Sequence, residues 1–149
     1  MGVRLRPLRE DELDDWVSRS REGYAREMVE HGGFPELEAR EKAHDDFATH
    51  LDAARRGVFV LEDDSSGARV GHLWLIERRG ALAVLDVYVD EGLRGRGYGR
   101  AAMLLAEDEA RRRFGRINLN VFAGNAVARS LYSSLGYQER SVSMSKSLA

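Results

Sequence analysis

Hydrophobic and polar residues change their spacing along the chain, and this change predicts a mixture of helices and strands. Between Glu10 and Glu30 apolar residues recur every three or four positions, which is the spacing of an amphipathic helix. Pro35 opens a second predicted helix that continues to about Arg55. Two later helices are predicted at Tyr98–Phe114 and Ala126–Leu135. Apolar runs predict strands at Val3–Leu8, Val58–Glu62, Arg69–Glu77, Ala81–Val89, Ile117–Phe122 and Ser141–Leu148.

The order of these elements favours one α/β domain over residues 1–149. A chain of 149 residues is long enough for one domain with its own core, and no repeat or linker divides it. The strand Ala81–Val89 is too apolar for a sheet edge and is therefore expected near the centre. The predicted fold is a mixed, twisted central sheet flanked by helices.

The absence of cysteine and the distribution of charge narrow the function classes. Without cysteine there is no disulfide, no thiolate zinc site and no cysteine nucleophile. Residues 1–90 carry 13 basic and 20 acidic side chains, a net charge of −7, and residues 91–149 carry 10 and 5, a net charge of +5; together they give −2. The net charge argues against nucleic acid, while the basic half suits an anionic ligand and the acidic half a cationic one.

No membrane segment or export signal is expected. No apolar run approaches the roughly 20 residues that a membrane helix requires. The first ten residues are charged and lack the apolar centre of a signal peptide. We therefore expect a cytoplasmic protein that binds neither membranes nor nucleic acid.

A turn of alternating glycines and arginines follows the strand Ala81–Val89 and precedes the helix that begins at Tyr98. Glycine has no Cβ, so its backbone reaches positive φ values and brings N–H groups against a ligand. The unpaired N–H groups and positive dipole end of the following helix point into the same turn. The turn therefore predicts a phosphate site. Its candidate ligands are Arg94, Gly95, Arg96, Gly97, Tyr98 and Gly99, with Arg100 adding positive charge.

Three known glycine patterns compete for this turn. A P-loop requires a lysine and a hydroxyl after its last glycine, and neither is present. The segment Gly97–Ala102 fits the dinucleotide pattern G-x-G-x-x-A, but the acidic residue expected about 20 positions later is missing, which disfavours an oxidoreductase. The third pattern, [QR]-x-x-G-x-[GA], is matched by Arg94, Gly97 and Gly99.

A second motif supports the third pattern, because N-x-x-A-x-x-L-Y-x-x-x-G-[FY] is matched in register between Asn125 and Tyr137. Together the two motifs resemble the GNAT superfamily of acyl-CoA-dependent N-acetyltransferases over residues 81–137. The ending V-S-M-S-K-S-L resembles a little-characterised bacterial branch of that superfamily. The resemblance implies splayed central parallel strands, acetyl-CoA as cosubstrate and direct attack by a primary amine of a small molecule or protein. It leaves a homodimer open.

The resemblance also assigns roles within the site. Tyr132 corresponds to the family's general acid for the departing thiolate. Asn125 corresponds to a contact with the pantetheine arm, and asparagine is also among the best helix N-caps. The backbone groups of Val87 and Val89 correspond to those that bind the pantetheine amides. Arg129 either reaches a coenzyme phosphate or faces solvent.

The candidates for the general base lie on two neighbouring predicted strands. Asp86 is the only carboxylate in the apolar run Ala81–Val89, and a carboxylate in such surroundings is costly unless a cleft hydrates it. His72 on the neighbouring strand and a water chain remain alternatives. No metal site is expected, because the remaining histidines have no grouped ligands: His31, His44 and His50.

Two functions stay open at this point. The leading one is an active N-acetyltransferase, and the other is a catalytically weak GNAT-fold module that binds acyl-CoA or acts in regulation. The presence of the glycine turn, Asn125, Tyr132 and Asp86 favours the enzyme. The identity of the acceptor does not follow from the sequence. The resemblance implies that the first two helices and their connection form one wall of the acceptor site. The aromatic candidates to line it are Trp16, Tyr24, His31, Phe34 and Trp74, although periodicity favours Trp16 and Tyr24 as core residues.

Overall fold

One mixed sheet runs through the molecule in the strand order β1-β2-β3-β4-β5. The computed structural model describes residues 2–149, and its strands are β1 Val3–Pro7, β2 Val58–Asp63, β3 Arg69–Arg78, β4 Ala81–Val89 and β5 Ile117–Leu119. Neighbours from β1 to β4 are antiparallel, whereas β5 runs parallel to β4. The mixed α/β sheet predicted from the sequence is confirmed, and β4 lies between two partners as its apolar sequence indicates.

Helices cover both faces of this sheet. Within residues 2–149 they are α1 Leu13–Gly32, α2 Glu36–Thr49, α3 Leu51–Gly57, α4 Tyr98–Arg113 and α5 Ala126–Ser134. On the α1 face, α1 to α3 pack over the sheet around Trp16 and Trp74, whose rings lie 5.1 Å apart. On the α4 face, α4 packs through Met103 against Leu73 and Val84. None of the described helices has the length and apolar character needed to cross a membrane.

Side chains of β3 and β4 alternate between the two faces, and this alternation places the candidate catalytic residues. His72 of β3 pairs with Tyr88 of β4, and Trp74 pairs with Asp86. Trp74 belongs to the core of the α1 face, so its register partner Asp86 points to that face as well. Val87 packs against the core of the α4 face. The carboxylate of Asp86 and the side chain of the next residue therefore lie on opposite sides of the sheet.

A β-bulge interrupts the pairing of β3 and β4 beside Asp86. Trp74 pairs with Asp86, but the next residue, Leu75, pairs with Val84. Leu85 is thus an extra residue on β4 without an opposite partner. Because a bulge bends its strand and re-aims nearby side chains, it supplies a local reason for the change in direction of β4 at this point.

The long helix predicted from Pro35 to Arg55 is wrong as a single element, because α2 and α3 are separated at His50. His50 departs from helical geometry, with φ of −104° and ψ of 14°. Its ring Nδ1 lies 2.8 Å from the carbonyl oxygen of Asp46, which also accepts its backbone N–H. A side chain that shares a helical carbonyl group competes with the regular helix. The break lets Ala54 of α3 pack beside Trp74.

The predicted strand Ser141–Leu148 is also wrong. No regular structure follows α5, and Val142, Met144 and Leu148 are 67%, 90% and 86% exposed. Alternation of serine with apolar residues matches the period of a strand, but a strand also needs a neighbouring edge to pair with. This segment pairs with no strand in the described chain. The apolar side chains of this segment therefore have no surface to pack against.

Candidate active site

A cleft opens where β4 and β5 part. The two strands pair only where Leu82–Val84 lies opposite Ile117–Leu119. The strand predicted for Ile117–Phe122 therefore ends three residues early, and β4 continues from Leu85 without a neighbour on that side. This geometry confirms the splayed parallel strands that the family resemblance implied.

The chain leaving β5 is held away from β4 by contacts with α1. The Gly124 N–H donates to the His31 carbonyl oxygen at 3.1 Å. A Cβ at Gly124 would lie 2.7 Å from the same oxygen, so only glycine permits this approach. The centre of the Phe122 ring lies 6.2 Å from that of Tyr24, on which it stacks, and 6.3 Å from that of Phe34. These contacts fix one wall of the cleft.

The backbone of β4 directs alternate hydrogen-bonding groups into the cleft. The Asp90 N–H donates to the Val70 carbonyl oxygen of β3 at 2.9 Å. Successive residues of a strand direct their N–H and C=O groups to opposite sides, so Val87 and Val89 direct theirs away from β3. The Val89 oxygen accepts from Arg94 Nε at 2.9 Å. Both valine side chains pack into the core, which leaves only their main-chain groups for a ligand in the cleft.

The glycine turn lies at the end of β4 and leads into α4. Gly95 and Gly97 have φ values of 80° and 89°, and Gly97 is the N-cap residue of α4. No atom lies within 4 Å of a Cβ built at either glycine, so the turn is open in front of its backbone. Arg94 and Arg96 are exposed beside it. The Arg94 guanidinium carbon lies 5.2 Å from the centre of the Tyr88 ring. The turn thus combines an open backbone, a helix N-terminus and positive charge.

Tyr98, Gly99 and Arg100 hold the turn in place through contacts with the rest of the protein, and their side chains do not point into it. Tyr98 is 7% exposed, and its hydroxyl donates to Asp63 Oδ2 at 2.8 Å. Only its backbone is therefore available for a phosphate. Gly99 lies against α5, where an added Cβ would be 3.6 Å from Leu131 Cδ2. Arg100 Nη2 donates to Ser134 Oγ at 2.6 Å and joins α4 to α5.

Asp86 and His72, which sequence reasoning treated as alternatives, form one hydrogen-bonded pair. Their Oδ2 and Nε2 atoms are 2.6 Å apart. The His72 ring stacks on Tyr88 at 5.3 Å and meets the edge of Trp16 at 5.6 Å, which leaves it 4% exposed. The Asp86 side chain is 36% exposed. A ligand in the cleft can therefore reach Asp86, whereas His72 lies behind it and orients it.

Tyr132 of α5 packs against the core of the α4 face, with its ring 5.8 Å from that of Tyr137. Burial, followed by the negative charges of Asp86 and Glu27, raises the pKa of Tyr132 to about 12. The hydroxyl therefore keeps its proton at neutral pH.

Glu27 of α1 is a residue of the cleft that sequence reasoning missed. Asn125 Nδ2 donates to Glu27 Oε1 at 3.2 Å, a contact between residues 98 positions apart. Burial raises the pKa of Glu27, and the charge of Asp86 raises it further. In the described chain Glu27 has no ion pair with arginine or lysine. Glu27 is one of many acidic residues on a largely polar helix, so nothing in the sequence indicates that it lies in the cleft.

Asn125 links the carboxylate of Glu27 to α5. Its Oδ1 accepts the Ala128 N–H at 3.1 Å, which is the geometry of a helix N-cap. The cap expected from the sequence is therefore confirmed. The contact with a pantetheine arm stays a prediction, since Nδ2 donates to Glu27 in this structure.

The other candidates lie at the margin of the cleft or behind it. Arg129 donates to the Ala123 carbonyl oxygen at 3.0 Å and pairs with Glu139, so both of its terminal nitrogens are engaged within the chain. Trp16 and Trp74 are buried in the α1-face core and do not wall the cleft. Within residues 2–149 no three potential metal ligands form a group.

Comparison with known proteins places this geometry in a family. The acetyltransferase (GNAT) family model matches residues 8–137. The chain is 31% identical to the uncharacterized N-acetyltransferase YycN of Bacillus subtilis (strain 168), over 99% of this chain and 100% of that protein. The crystal structure of YycN matches with a TM-score of 0.86 and 27% identity over 99% of both chains.

A more distant structure shares the fold and holds the coenzyme. The PaiA N-acetyltransferase from Thermoplasma acidophilum, in complex with coenzyme A, matches with a TM-score of 0.72 and 18% identity over 96% of this chain and 94% of that chain. The family model covers more than half of the sequence, including both motifs and the whole cleft. The chain therefore belongs to the acetyltransferase (GNAT) family.

Proposed function

We propose that the protein transfers an acetyl group from acetyl-CoA to a primary amine of a small molecule or protein by direct attack. The observation that carries this proposal is the meeting of three kinds of group at the parting of β4 and β5. These groups are the main-chain groups of Val87 and Val89 on the side of β4 away from β3, the Asp86 carboxylate and the Tyr132 hydroxyl. The glycine turn lies at the end of the same strand.

The coenzyme would lie along the open side of β4. The turn from Arg94 to Gly99 and the N-terminus of α4 suit the pyrophosphate, because both present backbone N–H groups to an anion. The main-chain groups of Val87 and Val89 suit the pantetheine amides, which need a donor and an acceptor in strand geometry. The arm would then replace the strand partner that β4 lacks beyond Val84.

The amine would approach from one face of the sheet, and the thiolate would leave toward the other. Asp86 lies on the α1 face and would take a proton from the ammonium nitrogen, directly or through water. The freed amine then attacks the thioester carbonyl carbon and loses its second proton to water, the carbon–sulfur bond breaks, and the thiolate leaves toward the α4 face. Tyr132 lies on that side and would donate its proton to the sulfur, since its raised pKa keeps the hydroxyl protonated.

Glu27 gives the acceptor side a second negative charge. The charge of Asp86 raises the pKa of Glu27, and neither carboxylate is paired with arginine or lysine in the described chain. An ammonium group between them would offset the cost of holding two carboxylates in a half-buried cleft. The ring cluster of Tyr24, Phe34 and Phe122 suits the apolar part of the amine.

Replacement of Gly97 tests the coenzyme site. Gly97→Val places a branched side chain in front of the turn at a φ of 89°, so we expect loss of acetyl-CoA binding in a folded protein, measured by calorimetry. Gly92→Val is the control, because Gly92 precedes the turn, has no positive φ and has open space around it. Unchanged affinity of a folded Gly97→Val protein would remove the turn from the coenzyme site.

Replacement of Asp86 tests the base. Asp86→Asn keeps the shape of the side chain but cannot take a proton, so kcat/KM should fall by about two orders of magnitude or more. The low-pH limb of the pH–rate profile should move or vanish. Asp90→Asn, the same change at the end of β4, should keep the profile. A wild-type profile in folded Asp86→Asn would transfer the role to His72 or to a water chain.

Replacement of Tyr132 tests the acid. Tyr132→Phe removes only the hydroxyl, so kcat should fall by roughly ten- to a thousandfold with little change in the KM for acetyl-CoA. Tyr137→Phe is a matched control, because its hydroxyl donates to Glu107 at 3.0 Å, away from the cleft. Equal rates for the wild type and Tyr132→Phe, on a substrate with a rate-limiting chemical step, would make Tyr132 a packing residue.

Replacement of Glu27 tests the acceptor side. Glu27→Gln retains an acceptor for Asn125 but removes the charge, so the KM for the amine should rise by about ten- to a hundredfold. The KM for acetyl-CoA should not change. Glu30→Gln removes the same charge from an exposed position of α1. Equal effects of both variants would indicate a diffuse charge effect and contradict binding by Glu27.

A further inference from the structure

The segment between β5 and α5 is bonded to α1 at two successive residues. The Gly124 N–H donates to the His31 carbonyl oxygen at 3.1 Å, and Asn125 Nδ2 donates to Glu27 Oε1 at 3.2 Å. Glu27 and His31 are four positions apart, so they lie on neighbouring turns of one side of α1. The main-chain bond at Gly124 therefore fixes the point from which the Asn125 side chain reaches Glu27.

Both ends of the Asn125 amide have a partner, and these partners fix its orientation. A backbone N–H can only donate, so the amide atom 3.1 Å from the Ala128 nitrogen is the oxygen. The other amide atom, which faces Glu27, is then the nitrogen, and it can only donate. The reversed amide would lose the helix cap and place two oxygens against each other. Asn125 is thus held as a hydrogen-bond donor to Glu27.

This hydrogen bond affects the charge of Glu27, whose side chain is half-buried. Burial raises the pKa of Glu27, the charge of Asp86 raises it further, and the bond from Asn125 lowers it. Within residues 2–149 no other side chain donates a hydrogen bond to Glu27. An ionised Glu27 attracts an ammonium group, whereas a protonated Glu27 has no charge to attract it. Asn125 therefore favours the form of Glu27 that an ammonium group requires.

We propose that Asn125 is a positioning residue for the acceptor amine, and that it acts by holding Glu27 ionised and in place. This inference rests on the proposed function, in which Glu27 binds the ammonium group. It differs from the role that the family resemblance implies, in which Asn125 contacts the pantetheine arm of the coenzyme. The two roles affect different substrates, because the first changes the KM for the amine and the second the KM for acetyl-CoA.

Asn125→Ser removes the donor to Glu27 but keeps a helix N-cap, because serine caps helices about as well as asparagine. We expect the KM for the amine to rise about tenfold at neutral pH, with the KM for acetyl-CoA unchanged. Asn118→Ser, at an exposed position of β5, is the control and should match the wild type. Asn125→Thr also keeps a cap and serves if the serine variant does not fold. An unchanged amine KM in a folded variant would overturn the proposal, and a rise in the KM for acetyl-CoA alone would assign Asn125 to the coenzyme instead.

A double-mutant cycle shows whether Asn125 acts through Glu27. The Glu27→Gln protein has no charge at this position for Asn125 to hold. Adding Asn125→Ser to it should therefore leave the amine KM within about twofold of the Glu27→Gln value. An equal rise of the amine KM in both backgrounds would mean that the two residues act independently, which would contradict the proposal.

Titration of the ¹³C-labelled glutamate carboxyl groups by nuclear magnetic resonance measures the pKa of Glu27 without turnover. We expect a higher pKa in Asn125→Ser than in the wild type, so the amine KM of the variant should fall as the pH rises through that pKa. The other titratable groups that act on Glu27 or are influenced by it are the same in both proteins: Asp86 of β4, Tyr132 of α5, and Tyr24, Glu30 and His31 of α1. An equal or lower pKa in the variant would overturn the proposal. Absence of acetyl transfer by the wild type would refute the proposed function, and the titration would still decide whether Asn125 holds Glu27 ionised.

Discussion

The parting of β4 and β5 after three paired positions is the constraint on which the rest of the site depends. Backbone groups inside a folded protein need hydrogen-bond partners. The main-chain groups of Val87 and Val89 that point away from β3 have no β5 residue opposite them, so a ligand can bind there. The bulge at Leu85 redirects β4, and the hydrogen bond between Gly124 and His31 holds the segment that follows β5 against α1. These two local features keep a strand-shaped space open within the sheet.

The same opening connects two chemically different faces. On the α1 face Asp86 and Glu27 supply negative charge, and on the α4 face the Tyr132 hydroxyl retains its proton. Asn125 caps α5 and contacts Glu27, so one residue ties the helix that carries Tyr132 to the helix that carries the second carboxylate. His72 lies behind Asp86 and joins it to the aromatic core. The positions of the candidate catalytic groups thus depend on the packing of α1 against the sheet.

Local patterns sufficed for β4, the glycine turn and the cap of α5, but not for the early end of β5 that opens the cleft. The bounds of β4, the turn from Arg94 to Gly99 and the cap at Asn125 follow from apolar runs, glycines and N-cap preference, which depend on neighbouring residues. Contacts between distant residues did not follow from such patterns. Glu27 meets Asn125 across 98 positions, and the pairing of His72 with Asp86 depends on the strand register. The periodicity of Ser141–Leu148 misled because strand formation also needs an available edge.

The central claim is that the amine, from the α1 face, and the thioester, held along β4, meet in one cleft and react directly. Initial rates of coenzyme A release, with acetyl-CoA and an acceptor amine both varied, test it most directly. Direct transfer requires both substrates to be bound together, so the double-reciprocal lines should intersect. Parallel lines would indicate a covalent acyl-enzyme between two half-reactions and would contradict the account.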